Sequence, residues 1–361
     1  MSTRTLRKYF AMRLVFMILI VYMVCVALVF FIDFVEMMRE GAKVDASALS
    51  VALLTLLRLP FFAEMILPFS VLIGSIGTFL ILSRSSELVI VRASGVSVWQ
   101  FLVSAVVVAA LFGVFAATVY NPLAARAKVA SDRMFTDTFA KRKGNAKNET
   151  AAWLRQNGPN GPSIIHARAS ADRGTTLGGV TVLQFDPKGK FIERVEADKA
   201  ILRRGYWELS NAHIFKYGLA SKVESKYSIK TYLNPMQVSK SVDNAESVSF
   251  WELPSFIEFA EKAGLDTTAY RLQYQQLLSR PFMMIVMVLL AATCSLRPFR
   301  FGKIQTMVIT GLSAGFAFFV LVELSRKLGM SGYVTAGVAV WTPIAMGTLL
   351  ALTVLLHQED G

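Results

Sequence analysis

Six long apolar runs dominate the chain, three before and three after a polar middle region. Each run carries few or no charges and is long enough to cross the hydrocarbon core of a bilayer, which takes about 20 helical residues. The pattern therefore predicts six transmembrane helices. Their approximate limits are Leu14 to Ile32, Met65 to Leu82, Val98 to Val119, Pro281 to Leu296, Ile304 to Val322 and Tyr333 to Leu356.

The polar middle region, roughly Asn121 to Arg280, has a different pattern. Its core, about Ala151 to Ser249, contains short alternating runs separated by turn residues, as in G-V-T-V-L-Q-F, D-P-K-G and K-F-I-E-R-V-E-A. Several strands at this spacing predict a small β-sandwich or jelly roll. The flanks N-P-L-A-A-R-A-K-V-A-S-D-R-M-F and S-F-I-E-F-A-E-K-A-G look helical and are expected to join the β domain to the third and fourth spans.

One predicted strand, Phe191 to Ala197, shows how the faces are assigned. Phe191, Val195 and Ala197 fall on one face, while Arg194 and Glu196 fall on the other. Ile192 and Glu193 do not fit this alternation.

The predicted fold class is an α-helical membrane protein with an inserted β domain. Residues 1–120 hold three helices and a short surface helix at about 84–95, residues 121–280 hold the polar region with a jelly-roll-like core at about 151–249, and residues 281–361 hold three more helices. Basic residues precede the first run, as in a signal peptide, but its 19 uncharged residues are too many for an h-region and V-F-F-I-D-F-V offers no small-residue cleavage site. We expect a permanent anchor.

Basic residues in the short loops indicate the orientation, because cytoplasmic loops are enriched in lysine and arginine. With the N-terminus inside, nine such residues lie in the cytoplasm: Arg4, Arg7, Lys8, Arg13, Arg84, Arg92, Arg297, Arg300 and Lys303. Five lie outside: Arg39, Lys43, Arg58, Arg326 and Lys327. The bias predicts cytoplasmic termini and a middle region outside the inner membrane.

Composition supports the membrane assignment and indicates which class of partner the chain binds. Apolar residues make up 54% of the 361 residues, charged residues only 17%, and the mean hydropathy is +0.49. The net charge of +13 is scattered among apolar spans without a nucleic-acid recognition motif, so an anionic lipid or amphiphile is the favoured partner and nucleic acid is not. Cys25 and Cys294 lie inside apolar runs and indicate no disulfide framework.

Signatures of catalysis are missing from the sequence. No G-x-x-x-x-G-K-[ST] phosphate loop occurs, since R-F-G-K-I lacks its first glycine and its hydroxyl residue. His166, His213 and His357 have no second ligand at metal spacing, and no G-x-S-x-G turn presents a nucleophile. We therefore expect no metal, no cofactor and no enzymatic activity of the chain's own.

The stretch S-R-S-S-E-L-V-I-V-R-A-S-G-V-S, Ser83 to Ser97, is a charged interval between two apolar runs. Ser85 or Ser86 can cap a helix, Glu87 would meet the positive end of its dipole, and Gly95 can end it. Such a helix resembles the coupling helix by which a permease docks into a groove of a separate ATPase. From this stretch alone, a plain loop that follows the positive-inside rule is an equally good interpretation.

The order of several motifs along the whole chain resembles the lipopolysaccharide export permease family, LptF and LptG. These motifs are L-R-L-P-F-F-A-E-M-I-L-P-F at the second span, S-E-L-V-I-V-R-A-S-G after it, G-G-V-T-V-L-Q-F-D in the β domain and Y-W-E-L soon after. S-E-L-V together with F-I-D-F-V-E at the end of the first span is more like the LptG branch than the LptF branch.

The resemblance implies the permease half of an ABC transporter. Its partners would be an LptF-like sister permease in a heterodimer, an LptB-like ATPase dimer that hydrolyses ATP, and an LptC-like protein. Lipopolysaccharide would leave the bacterial inner membrane and pass to a periplasmic bridge. The ATPase groove would hold Glu87 and Leu88, with Val91 and Arg92 beside them and Gly95 at the end of the helix.

Lipid A is acylated and phosphorylated, so its site needs an apolar wall with cations at the outer interface. The candidate substrate residues lie at the outer ends of the first and fifth spans: Phe31, Phe34, Arg39, Lys43, Phe316, Phe318, Phe319, Arg326 and Lys327. Asp33 stands where related permeases often carry a basic residue, so an anion clamp there would be missing or replaced by Arg39. Glu64 and Glu323 are expected to form structural pairs, the latter with Arg326.

Two other function classes remain open at this stage. The first is a mechanical or signalling membrane protein that transmits binding at the β domain to a cytoplasmic ATPase without transporting anything. The second is an intramembrane or periplasmic enzyme, which requires a nucleophile and a base that the sequence does not reveal.

Overall fold

Within the part of the chain that the structure describes, six apolar helices of membrane-spanning length accompany one antiparallel sheet. The computed structural model describes residues 3–85, 98–140, 152–171, 174–216, 218, 220–233, 245–262, 265–295 and 304–360. The chain divides into two compact units, residues 1–131 with 272–361 and residues 132–271. The first unit is helical and the second contains the sheet.

The helices confirm the six predicted spans. Their bounds are α1 Thr3–Ala42, α2 Ala48–Arg84, α3 Val98–Phe115, α4 Asn121–Phe135, α5 Leu253–Lys262, α6 Thr268–Ser295, α7 Ile304–Met330 and α8 Ala336–Asp360. A π-helical turn, Ala116–Tyr120, makes α3 and α4 one continuous span. Among the described residues six helices are long and apolar enough to cross a membrane. These six helices are longer than the uncharged runs, because helical turns that carry charged residues can continue into the membrane–water interface.

Glycine allows the membrane helices to pack closely, as small residues do wherever helices meet in lipid. A Cβ atom on Gly74 of α2 would lie 2.8 Å from the Cα of Ile18 in α1. On α7, a Cβ on Gly315 would lie 2.1 Å from Leu72 of α2. A Cβ on Gly113 of α3 would lie 2.3 Å from the Cα of Pro281 in α6, so the two backbones touch there.

The second unit contains a six-stranded antiparallel sheet in which neighbours in the chain are neighbours in the sheet. The strands are β1 Ala152–Gly158, β2 Gly161–Ala171, β3 Thr176–Phe185, β4 Phe191–Arg203, β5 Tyr206–Lys216 and β6 Lys222–Lys230. In the predicted D-P-K-G turn, the Asp186 carboxylate accepts hydrogen bonds from the backbone N–H groups of Lys188 and Lys190. The inserted antiparallel β domain is thus confirmed.

The sheet curls so that the end of β1 lies beside the end of β6, although the two strands do not pair. A Cβ on Gly158 at the end of β1 would lie 2.5 Å from the carbonyl oxygen of Lys230 at the end of β6. At this corner the buried amide oxygen of Gln156 accepts hydrogen bonds from Trp207 Nε1 at 3.0 Å and Thr231 Oγ1 at 2.8 Å. Its amide nitrogen donates to Ser163 Oγ at 2.9 Å. Because the amide is well satisfied, its burial does not weaken the core that the curled sheet encloses.

The described interior of the β domain is mostly apolar, and Glu193 is the one buried acid among its described residues. Val195 and Ala197 of β4 are buried as the alternation predicts, but Glu193 is also buried and Phe191 is 43% exposed. The Glu193 carboxylate accepts a hydrogen bond from Tyr227 at 2.7 Å and lies 3.3 Å from the Lys216 ammonium. Burial and this hydrogen bond both raise the pKa of Tyr227 above its ordinary value. These two partners compensate the desolvation of Glu193.

The predicted helical flanks are confirmed by α4 and α5. In α5 the residues Leu253, Phe256 and Ala260 are buried at helical spacing. The Phe256 ring lies 4.5 Å from the ring of Tyr270. This contact holds α5 against the first turn of α6 within the second unit.

Substituting Gly113 by alanine is expected to destabilise the protein strongly, because two backbones, not a movable side chain, occupy the space of the new methyl group. Overpacking of this kind costs about 1–3 kcal/mol. The measurement is the midpoint of unfolding in detergent. Gly337→Ala is the matched control: it is also helical and has nothing within 4 Å of its Cβ position. Equal midpoints for the two variants would contradict the close contact of α3 and α6.

Candidate functional site

The predicted coupling segment lies between two core helices. Glu87, Leu88, Val91, Arg92 and Gly95 lie outside the described residues. The segment's attachments are described: α2 ends at Arg84, where the Ser85 hydroxyl donates to the carbonyl of Ile81, and α3 begins at Val98. The segment is therefore continuous in sequence with α2 on one side and α3 on the other.

The two groups of predicted substrate residues lie at the same end of the helical unit. The Phe69 ring of α2 lies 4.8 Å from that of Phe319 in α7, and further along α2 Ile76 meets Gly311. Residue numbers rise along α2 as they fall along α7, so these helices are antiparallel. The end of α7 is therefore level with the start of α2 and, since Asp33 contacts Arg58, with the end of α1.

Three of the four predicted cations at this end are paired with acids three residues earlier in the chain. Arg39 lies 2.7 Å from Glu36, and Lys43 lies 2.5 Å from Glu40. Arg326 binds Glu323 with two hydrogen bonds, at 2.9 and 2.6 Å, which confirms the predicted pair. Lys327 is exposed. Segments 33–58 and 323–327 together contain five cations and five acids, so this rim has no net charge.

The sequence interpretation missed the role of Arg58. Its guanidinium lies 3.2 Å from the Asp33 carboxylate and 2.8 Å from the sulfur of Met37, and it covers the ring of Phe62 at 5.3 Å. Side-chain exposure is 30% for Arg58 and 12% for Asp33, so this pair is less hydrated than the pairs of Arg39 and Lys43, and Asp33 is the least exposed acid among these pairs. Asp33 thus opposes a cation on the neighbouring helix, a partner that helical spacing within α1 cannot reveal.

The predicted aromatic residues are placed in three different environments. Phe31 and Phe316 are 63% and 61% exposed and could contact a lipid directly. Phe34 is half-buried and stacks on Phe30, and Phe319 packs on α2. Phe318 is 6% exposed and fills the space beside Gly347 of α8, where it serves helix packing.

Two helices of the unit present unusually open apolar surfaces. In the most apolar 18 residues of each span, only 6% of α1 and 17% of α7 are buried, against 61% of α2. The exposed side chains on α1 include Phe16, Met23, Leu28, Phe31 and Ile32, and those on α7 include Ile309, Phe316, Val320 and Leu324. α1 and α7 both pack on α2, and their open apolar faces are called the two open flanks below.

A buried polar cluster joins four helical segments in the interior. Glu64 of α2 is 5% exposed and lies 3.4 Å from the guanidinium of Arg280 in α6. The Asn121 amide of α4 lies 3.3 Å from both carboxylate oxygens of Glu64. Nearby, Tyr22 of α1 donates a hydrogen bond to Tyr120 at 3.2 Å. Glu64 thus forms the predicted structural pairing.

The described residues offer no obvious metal centre. Among them, no group of three or more histidine, cysteine, aspartate or glutamate side chains comes together in a way that could hold an ion.

Known proteins resemble the chain over both units. The family model of the lipopolysaccharide export system permease LptF/LptG matches residues 8–357. The lipopolysaccharide export system permease protein LptG of Escherichia coli (strain K12) is 21% identical over 342 residues, 91% of either chain. The protein of the same name from Haemophilus influenzae is 23% identical over 334 residues, 89% of either chain.

The pair between Asp33 and Arg58 is expected to be strongly coupled, because removing either partner leaves a poorly hydrated charge. A double-mutant cycle with Asp33→Asn and Arg58→Gln should give a coupling of about 1–3 kcal/mol in unfolding experiments in detergent. The same cycle on the exposed pair of Glu36 and Arg39 should give less than about 1 kcal/mol. Equal coupling in the two cycles would show that Arg58 is not specifically held.

Proposed function

This chain belongs to the lipopolysaccharide export system permease LptF/LptG family, and from that premise we propose that it is the LptG-like subunit of an ABC transporter that extracts lipopolysaccharide from the inner membrane. It is a multi-pass inner-membrane protein. The observation that carries the proposal is the family match across both units, including the inserted β domain. Both relatives are named for lipopolysaccharide export.

The two open flanks support a partnership with a sister permease. An apolar helix face in a bilayer can be covered by lipid, by another protein or by the acyl chains of a substrate. A cavity for a multiply acylated lipid needs walls from two subunits, because six helices enclose little space. We therefore assign α1 and α7 to the interface with an LptF-like sister, where the cavity opens toward lipopolysaccharide.

The rim of ion pairs supports a binding site for lipid A phosphates. Arg39, Lys43, Arg326 and Lys327 remain the proposed headgroup contacts, and Arg58 joins them. Because the carboxylates already neutralise most of these cations, a phosphate binds by replacing a carboxylate and not by occupying an empty cationic site. Arg326 suits this exchange, since it binds both carboxylate oxygens of Glu323 and a guanidinium binds phosphate in the same two-pronged geometry. Phe31, Phe34, Phe316 and Phe319 would contact the acyl chains, while Phe318 supports them from the packed side of α7.

Energy would come from an LptB-like ATPase dimer on the cytoplasmic side. Glu87, Leu88, Val91, Arg92 and Gly95 would form the helix that sits in the ATPase groove, and this chain would contribute no catalysis of its own. Both termini would be cytoplasmic. Only contacts that differ between the two ATPase states can shift the helices, so the segment must be a stiff, specifically bound lever.

The β domain would lie in the periplasm, close to an LptC-like protein and the bridge that receives lipopolysaccharide. Its antiparallel sheet has edge strands β1 and β6, and such edges offer backbone groups to another strand. The second candidate function, a non-transporting transmitter, is favoured only by the β domain and the coupling segment. It predicts that the rim cations and the exposed aromatic residues are unimportant.

Glu87→Ala is expected to lose the ATPase during purification from membranes while the permease still inserts, because the carboxylate would anchor the lever. The measurement is the amount of ATPase bound to the purified chain, together with ATP-dependent lipopolysaccharide release. Glu252→Ala changes an exposed acid of the second unit and serves as the control. Equal retention by Glu87→Ala and wild type would exclude Glu87 as an essential anchor, and no retention by either would contradict the transporter assignment.

Photo-crosslinkers at Phe31 and Phe316 are expected to capture lipopolysaccharide in the assembled complex, and capture should fall when Arg58→Gln removes the guanidinium. A crosslinker at Val103, which is 52% exposed on α3, is the control for general lipid exposure. If all three positions capture lipopolysaccharide equally, α1 and α7 do not line a specific cavity. If none does, the transmitter function gains support.

A further inference from the structure

A proline inside a span removes one helical backbone hydrogen bond, at a position fixed by its place in the sequence. Pro68 of α2 and Pro343 of α8 have no N–H, so each leaves the carbonyl four residues earlier without its helical donor. These carbonyls belong to Glu64 and Ala339. In a bilayer such a group must find a partner within the protein, because no water is available in the hydrocarbon core.

Both carbonyls receive a hydrogen bond from a side chain on a neighbouring helix. The Arg280 guanidinium of α6 donates to the carbonyl oxygen of Glu64 at 3.2 Å. The Ser325 hydroxyl of α7 donates to the carbonyl oxygen of Ala339 at 2.6 Å. Each proline site is therefore a point where one helix is tied to another through backbone.

The site at Glu64 differs because one guanidinium binds both the backbone and the side chain of the same residue. Arg280 Nη1 contacts the carbonyl and Nη2 lies 3.4 Å from the carboxylate. Only 6% of the Glu64 side chain and 18% of the Arg280 side chain are exposed. The Asn121 amide approaches the carboxylate from α4. The weak point of α2 is thus held from α6 and α4 together.

Glu64 and Pro68 lie on α2 between the proposed substrate rim and the proposed ATPase-coupling segment. α2 continues to Arg84 and then into the segment that holds Glu87. On α6, Pro281 follows Arg280 directly and lies against the backbone of α3 at Gly113. A change of angle in α2 at Pro68 must therefore move α6 and α3 or break the contacts of Arg280.

We infer that Glu64, Pro68 and Arg280 form a hinge clamp that transmits bending of α2 to α6 and α3 during export. Arg280 is then a positioning residue, since it acts through the helices and not on the substrate. The inference rests on the proposed transport function for its role in export. A static function for the same contacts would be to hold the helices together without any part in coupling.

The Pro68→Ala variant distinguishes the hinge clamp from a purely static packing role. Alanine restores the N–H to the ladder, so the helix itself can satisfy the Glu64 carbonyl and α2 loses its hinge. A static role predicts an equal or higher unfolding midpoint with normal transport. The clamp predicts an equal or higher midpoint with lipopolysaccharide release per ATP lowered by at least about fivefold, the lower end of coupling between linked sites.

The experiment uses the complete export complex in proteoliposomes and measures ATP hydrolysis and lipopolysaccharide release together. Pro60→Ala is the matched control, because it is the same substitution in the same helix, about two turns from Pro68. Ser325→Ala removes the uncharged tie at Ala339 and should leave release per ATP unchanged. Arg280→Lys keeps the charge but cannot reach both oxygen groups in the same planar geometry, so it should uncouple as Pro68→Ala does.

Hydrogen exchange provides a readout that does not depend on transport. In the purified chain, Arg280→Lys should accelerate exchange of the α2 amides around residues 64–72, while Pro60→Ala should leave them unchanged. Unchanged exchange in Arg280→Lys, or normal release per ATP in Pro68→Ala, would overturn the clamp. If the wild-type complex releases no lipopolysaccharide, the proposed function fails, and the exchange result alone decides whether Arg280 holds the hinge.

Discussion

A helix in lipid must satisfy its backbone hydrogen bonds within the protein, and the helical unit depends on how it meets this requirement at its prolines. The carbonyl freed by Pro68 is bound by Arg280, and the carbonyl freed by Pro343 is bound by Ser325. In each case a break in one helix becomes an attachment to the next. At these two prolines the helices are therefore joined through their backbones, in addition to the close contacts that glycine permits.

Much of the fold could be predicted because hydropathy and alternation are local signals. Lipid selects apolar runs of spanning length, so the six helices followed directly from the pattern, and turn residues such as D-P-K-G marked the strand ends. Glu193 did not follow the alternation, because its inward position depends on Tyr227 and Lys216, which arrive from other strands. A buried charge is predictable only when its partners are known.

The candidate site shows the same division between local and distant signals. The pair of Glu323 and Arg326 lies within one turn of helix and was predicted, whereas Arg58 and Arg280 gain their roles from Asp33 and Glu64 on other elements. Sequence spacing cannot distinguish a rim cation that faces water from one that is already paired. For the same reason Phe318 looked equivalent to Phe316, although only the latter is exposed.

Under the proposed function, the neutrality of the rim bears on which lipids the protein would select. Inner-membrane phospholipids with one phosphate vastly outnumber any exported molecule, and a rim of uncompensated cations would be saturated by them. When each guanidinium already has a carboxylate, a single phosphate gains little by replacing it. A headgroup with several phosphates can exchange several pairs at once, and the gains add within one bound molecule. Paired charges would thus favour a lipid that carries several anionic groups over a lipid that carries only one.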